Sequence, residues 1–160
     1  MLRLIEQLAE RILPAPLHRF ALNFAHRTRH TYRRIAKPQL EGVSVILRDA
    51  AGHVLLVRHS YGPPTWALPG GGIESGEAPA HAARRELREE LGVDVPNLAK
   101  LAELAETLSG TSHTAHVFTG LAEGGVTPDG REIVEARWFA RDALPDALSQ
   151  VAATRLRLLD

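Results

Sequence analysis

A mixed α/β domain, with helices layered on a sheet, is what this sequence predicts, and three observations carry the prediction. Short apolar runs, alternating or continuous, recur along the chain with turn residues between them. The stretch from Pro79 to Leu91 is built instead of Ala, Arg, Glu and Leu, all strong helix formers. From Ala143 onward apolar residues return at helical spacing. Strands, a central helix, more strands and a closing helix bury their apolar faces only by stacking in layers.

The chain has 160 residues, 44% hydrophobic and 24% charged, which suits one domain with a proper core and is too short for two. It has no cysteine, which excludes disulfides, thiolate metal sites and a cysteine nucleophile. Nothing approaches a membrane-spanning run and no apolar core with a cleavage site opens the chain, so a cytoplasmic location is expected. The net charge of zero hides an asymmetry. Residues 1–37 hold eight basic residues against Glu6 and Glu10, a net of +6 that the remaining residues balance with −6.

Residues 1–38 read as a basic amphipathic helical arm. Leu2, Ile5, Leu8, Ala9 and Ile12 recur at helical spacing until Pro14 and Pro16, and Leu17, Phe20, Ala21 and Phe24 form a second stripe. Three uses compete: packing on the domain or pairing with a second copy as a homodimer, lying on an anionic membrane surface, or contacting a nucleic-acid backbone. The domain itself runs over 39–160. Gly42 to Leu47 alternates as a strand, Asp49 to Gly52 turns, and His53 to Val57 is a second strand ended by Arg58 and His59. Ser60 to Thr65 is a loop. Leu98–Leu108 and His113–Leu121 form a hairpin around Ser109 to Ser112. Ala122 to Gly130 is a polar loop, and Glu132 to Ala140 the last strand. His113 and His116 lie on the hairpin, where structural or solvent-facing roles are the expectation.

The central stretch carries chemistry. Pro79 suits a first helical turn and Gly92 a stop, so Glu86, Glu89 and Glu90 fall at i, i+3 and i+4 on one face. Crowded anions repel, and a hard divalent cation reverses that interaction. Arg85, four residues before Glu89, can orient it through a charge-assisted bond. A solvated acidic helix face is the bland alternative. The Pro69-Gly70-Gly71-Gly72 turn and a fourth carboxylate, Glu77, favour the metal site. Ala78 stands where a capping Ser or Thr is often found, leaving Ser75 or the backbone near Gly76 to satisfy the helix start.

Gly71, Glu77, Arg85, Glu86, Leu87, Glu89, Glu90, Gly92 and Val93 match every fixed position of G-x5-E-x7-R-E-U-x-E-E-x-G-U, with U a bulky aliphatic. The segment thereby resembles the Nudix box, and Trp66-Ala67-Leu68-Pro69-Gly70 resembles its usual lead-in. The resemblance implies an α/β/α sandwich with a mixed sheet. It also implies Mg²⁺ or Mn²⁺ held by the Gly70 carbonyl with Glu86, Glu89 and Glu90, and hydrolysis of a pyrophosphate bond. Gly71 and Glu77 would support the loop. Glu86 is the first candidate for the base, assisted by Arg85; Glu132 is the second and Glu135 a weaker third, against the alternative of ordinary surface carboxylates. Arg58 is a candidate for substrate phosphate, or simply a solvent-facing strand end. Trp66, Tyr61, Phe118 and Trp138 are candidates for stacking a base, or core residues.

The substrate implied is a nucleoside diphosphate linked to another moiety, a small nucleotide. The window Ala105 to Gly110 lacks the proline of ADP-ribose hydrolases and the tyrosine of dinucleoside polyphosphate hydrolases, and the coenzyme A motif is not met near Tyr61. Two other readings stand beside this one: an RNA-end pyrophosphohydrolase using the basic arm, and a binding or regulatory module that keeps the fold without catalysis. The second normally lacks box carboxylates, and this chain has them all.

Overall fold

The structure, a computed structural model, describes residues 40–108 and 111–160. The arm over 1–38 and the tip of the hairpin at Ser109 and Gly110 lie outside the described residues, and with them the three uses expected for the arm.

Six strands form one sheet: β1 (Leu40–Arg48), β2 (Val54–His59), β3 (Trp66–Ala67), β4 (Ala99–Leu108), β5 (Thr111–Leu121) and β6 (Ile133–Phe139). Their order is β3-β2-β1-β5-β4, with β6 also paired to β2. Only β1 and β5 run parallel, in register from Leu40↔His113 to Arg48↔Leu121; the other pairs are antiparallel, which makes the sheet mixed. Helix α1 (Pro79–Leu91) follows β3, and α2 (Gln150–Leu156) closes the chain with a 3-10 turn, Arg157–Leu159.

Alternation along β1 divides the core in two. Val43, Val45 and Leu47 pack with Ala82, Ala83, Leu87 and Leu91 of α1, while Ile46 packs with Ala152 and Leu156 of α2. Each helix therefore covers one face, giving helix, sheet and helix layers.

β1 and β2 share only the Arg48↔Val54 pair and splay apart beyond it. The segment after β3 fills the gap: Val45 N–H donates to the Pro69 carbonyl at 2.9 Å and Val43 N–H to the Gly71 carbonyl at 2.8 Å. This pairing lays the glycine turn alongside β1, under α1. At Gly70 the backbone has φ +140°, and a Cβ there would sit 2.3 Å from the Val43 carbonyl oxygen, so only glycine fits.

α1 forms where the sequence predicts. Pro79 opens it, and Gly92 ends it in the left-handed region at φ +64°, its N–H bonded to the Arg88 carbonyl and Val93 N–H to that of Leu87. Ala78 at its N-cap supplies no side-chain hydrogen bond. Other boundaries move for local reasons. β2 starts at Val54 because His53 belongs to the turn, its N–H bonded to Asp49 Oδ1 at 2.8 Å, and it continues through Arg58 and His59. Thr111 and Ser112 extend β5 rather than the turn. The closing helix begins at Gln150, not Ala143. Pro145 lies in a turn whose carbonyl accepts from Leu148 N–H, and Ser149 then caps α2 by accepting from Ala152 N–H at 3.1 Å.

Candidate active site

α1, the Gly70–Gly72 turn and the loop before β6 meet at one edge of the α1 layer. Along α1, Ala83, Leu87, Glu90 and Leu91 fall at i, i+4, i+7 and i+8, so Glu90 shares the buried stripe with three apolar residues. It is 4% exposed. Its Oε2 accepts the Gly70 N–H at 3.0 Å, so Gly70 meets the cluster through its N–H. Burial, then the charge of Glu86, push the Glu90 carboxyl well above the usual range; Glu132 and Asp129 push the same way, and only the Gly70 N–H opposes them.

Glu86 lies against the turn: a Cβ on Gly71 would fall 2.4 Å from Glu86 Oε1. Glu89 points outward, its side chain 60% exposed. The three carboxylates thus fan from buried to solvated instead of sharing one face evenly. Among the described residues, no three His, Asp or Glu side chains close together into a ready metal cage.

Arg85 organises the outer part. Its Nε and Nη2 donate to the two oxygens of Glu77, both at 2.9 Å, a bidentate pair. Nη1 reaches Glu86 at 2.9 Å and Glu89 at 3.1 Å, and Nη2 also reaches the Gly72 carbonyl at 3.0 Å. The bond to Glu77 is the main reason its guanidinium holds its proton more tightly than usual. Glu77 in turn accepts from Glu74 N–H, bracing the loop it was expected to support.

The loop before β6 brings in Glu132. Its carboxylate accepts from the Tyr61 hydroxyl at 3.4 Å, and its carbonyl accepts from Ser60 N–H at 2.8 Å. His59 and Tyr61 place their rings 5.1 Å apart beside it. Of the four aromatic stacking candidates, Tyr61 is the one beside a site carboxylate. Phe118 is buried in the core under α1, and Trp138 packs against that core.

Three of the candidates lie toward the α2 face, as sheet register shows. Trp66 is 8% exposed in the α2 layer, edge-on to Phe139 at 5.0 Å, which fits the core role offered beside stacking. Arg58 projects to the same face. It lies over the Trp66 ring and donates to Glu135 at 3.1 Å, so it is held away from the carboxylates. Glu135 is paired with Arg58 and Arg137, which fits the surface carboxylate offered as its alternative. Sheet register decides all three, because Arg58 pairs with Trp66 and with Glu135.

One contributor escaped the sequence reading. Asp129 accepts three backbone N–H groups in the loop that presents Glu132. The signal was present in Pro128-Asp129-Gly130, a turn sequence whose aspartate caps the backbone just ahead.

In kind, the donor set fits a hard divalent cation. It is all oxygen, and the buried Glu90 is surrounded by like charge with no cation of the protein against it in the bonds described. Glu86, Glu89 and Glu90 are the residues that would hold it.

Comparison with known proteins agrees with this geometry. The NUDIX domain family model matches residues 38–159. A NAD-capped RNA hydrolase NudC of Pseudomonas aeruginosa is 31% identical over 123 residues, covering 74% of this chain but 42% of the relative, so this chain spans under half that protein's length. A putative 8-oxo-dGTP diphosphatase of Bacillus subtilis is 32% identical over 106 residues, covering 66% of this chain and 69% of the relative. The crystal structure of a MutT NUDIX hydrolase from Burkholderia pseudomallei superposes with a TM-score of 0.69, covering 77% of this chain and 99% of that one at 24% identity, a likeness of fold.

Proposed function

Since this chain belongs to the Nudix family, we propose that it is a divalent-metal-dependent pyrophosphohydrolase cutting a small nucleoside diphosphate linked to another moiety. The observation that carries this reading is Glu90, buried among the like charges of Glu86, Glu132 and Asp129. Such an arrangement costs stability in its ionised form unless a cation offsets it. Mg²⁺ or Mn²⁺, which the Gly70 carbonyl with Glu86, Glu89 and Glu90 would hold, would supply charge neutralisation and lower the pKa of water.

The chain's own residues do the rest. Arg85 fixes Glu77, Glu86 and Glu89 in one network and ties it to the Gly72 carbonyl, which holds the outer carboxylates beside the turn. Between the two leading candidates for the base, the geometry favours Glu132. Glu86 is bonded to Arg85 and is among the residues that would hold the cation, whereas Glu132 stands apart from the α1 carboxylates, on a loop bonded to the last turn of α1. We therefore assign to Glu132 the proton of the attacking water. A groove of about 330 Å³ beside the 70–77 loop is lined by Glu41, Ile73, Glu74, Ser75, Gly76 and Glu77. Its carboxylates repel bare phosphate and suit an uncharged part of a substrate.

Action on RNA ends is the second reading. The eight basic residues of 1–37 favour it, as does the likeness to a NAD-capped RNA hydrolase. A screen of nucleotide sugars, dinucleotides, deoxynucleotides, coenzymes and capped RNA, with Mg²⁺ or Mn²⁺, separates the two. Turnover of a small nucleotide that chelation abolishes is the expected result. Turnover of RNA alone, with affinity falling steeply as salt rises, establishes the second reading instead. No metal-dependent turnover of any of them sinks both and leaves a binding module.

A further inference from the structure

The loop before β6 is built with more care than a connection needs. Its Thr127 N–H donates to the Leu91 carbonyl at 2.9 Å and its Asp129 N–H to the Glu90 carbonyl at 3.0 Å. These are carbonyls of the last turn of α1, which have no partner inside the helix. The loop is therefore stitched to the same turn that carries Glu89 and Glu90, and the two are held in one register. Asp129 then folds the chain back. Its Oδ1 accepts from Arg131 N–H at 3.2 Å and Ile133 N–H at 2.8 Å, and its Oδ2 accepts from Glu132 N–H at 3.0 Å. Gly130 permits the bend at φ +71°, its N–H bonded to the Ile133 carbonyl at 3.0 Å. On the far side, Ser60 N–H holds the Glu132 carbonyl. Glu132 is thereby fixed at its own N–H, at its carbonyl and, through Tyr61, at its carboxylate.

We infer that Asp129 is a positioning residue for the hydrolysis: its carboxylate sets the 129–133 turn so that Glu132 faces Glu90 across the site. Both Asp129 oxygens are engaged by backbone donors, which suits a bracket that acts through its neighbour. A bond to the backbone N–H of Glu132 itself controls where that side chain starts. Displacing a reacting group by about 1 Å costs on the order of 10²-fold in rate, so a bracket of this kind is visible in kinetics.

The inference rests on the assignment of Glu132 as proton acceptor, and a double-mutant comparison on the full chain tests each separately. Turnover of whichever nucleotide the screen identifies is measured for Asp129→Ala, Asp129→Asn, Glu132→Gln and the double variant Asp129→Ala/Glu132→Gln, with thermal melts to confirm folding. Expected is a loss of about 10²-fold in kcat for Asp129→Ala with KM little changed. Asn keeps an oxygen in place of Oδ1 but has none for the Glu132 N–H, so Asp129→Asn should fall between Ala and the unmodified protein. In the Glu132→Gln background, Asp129→Ala should cost almost nothing more, because the group it positions is already lost. A full additional loss in the double variant overturns the inference, since Asp129 then acts independently of Glu132. If Glu132→Gln is impaired and Asp129→Ala is not, the inference alone fails. Unimpaired Glu132→Gln removes the proton acceptor and the inference together. Should Asp129→Ala not fold, Asp129→Asn and Asp129→Ser carry the same comparison.

Discussion

Among the described residues, each face of the sheet buries a charged side chain, Arg155 on one and Glu90 on the other, and treats it in the opposite way. Under α2, Arg155 is 7% exposed, and its Nη2 meets Glu106 Oε2 at 2.9 Å while its Nη1 bonds Ser44 Oγ. Under α1, Glu90 is 4% exposed, and the nearby charges that act on it are carboxylates of its own sign. Among the described residues, Arg155 has its countercharge in Glu106, whereas the charges that act on Glu90 are of its own sign. A paired buried charge suits a structural element, whereas one crowded by like charge is a candidate functional site.

The sharpest way to break this contrast is to neutralise Glu90. Glu90→Gln keeps an oxygen for the Gly70 N–H, so the fold survives while the charge is lost. Turnover should drop on the order of 10³-fold, the scale of removing an electrostatic contributor from an active site. Stability of the metal-free protein should move the other way. A folded carboxyl held above its ordinary value of 4.5 binds its proton more tightly than the unfolded chain does. Its contribution is thus fully present below that value and is lost as pH rises through the raised one. The metal-free protein should melt lower with rising pH through that window, and Glu90→Gln should flatten the dependence. A divalent cation should raise the melting temperature of the original chain and not of the variant. An identical pH dependence in both would show that Glu90 carries no unfavourable charge.

How much of this was legible beforehand divides along the same line. α1, its Gly92 stop and the alternation of β1 follow from local spacing, and the sequence specifies them closely. The inward turn of Glu90 is legible too, since it falls between Leu87 and Leu91 on the buried stripe, but carboxylate spacing alone does not reveal it. Spacing fixes angles around the helix axis and says nothing of which side meets the sheet. For Arg58, Trp66 and Glu135 the pattern left two readings open for a related reason. Their face depends on the register of β2 against β3 and β6, which a strand pattern alone does not determine. β3 escaped notice because two residues are too few to show a period.

On the paired side, Arg155→Met should unfold more easily without touching the chemistry. Removing one partner of a buried pair costs about 3–5 kcal/mol, and the lower end applies because Glu106 keeps some contact with water. Denaturant midpoints should fall accordingly while kcat/KM, measured well below the melting range, stays near the original. Adding Glu106→Leu should recover part of the loss by removing the stranded carboxylate. A fall in kcat/KM without loss of stability would mean that the α2 face reaches the site after all.

Arg58→Met should have the smallest effect, and it tests the assignment of faces most directly. The guanidinium is bonded to Glu135 and lies over the Trp66 ring, 5.8 Å from its centre. The side chain is 40% exposed, so the ion pair is worth at most about 1 kcal/mol, and the ring contact adds about 0.5–1 kcal/mol. Methionine retains the apolar stem along the ring, so the melting temperature should fall by about 2–4 °C for each kcal/mol actually lost. Neither kcat nor KM should change by more than about twofold if Arg58 stays on the α2 face, because a residue that never meets substrate contributes to neither. A tenfold rise in KM with the melting temperature unchanged would place Arg58 on the substrate, and the separation of the two faces would then hold for the buried charges but not for the edge of β2.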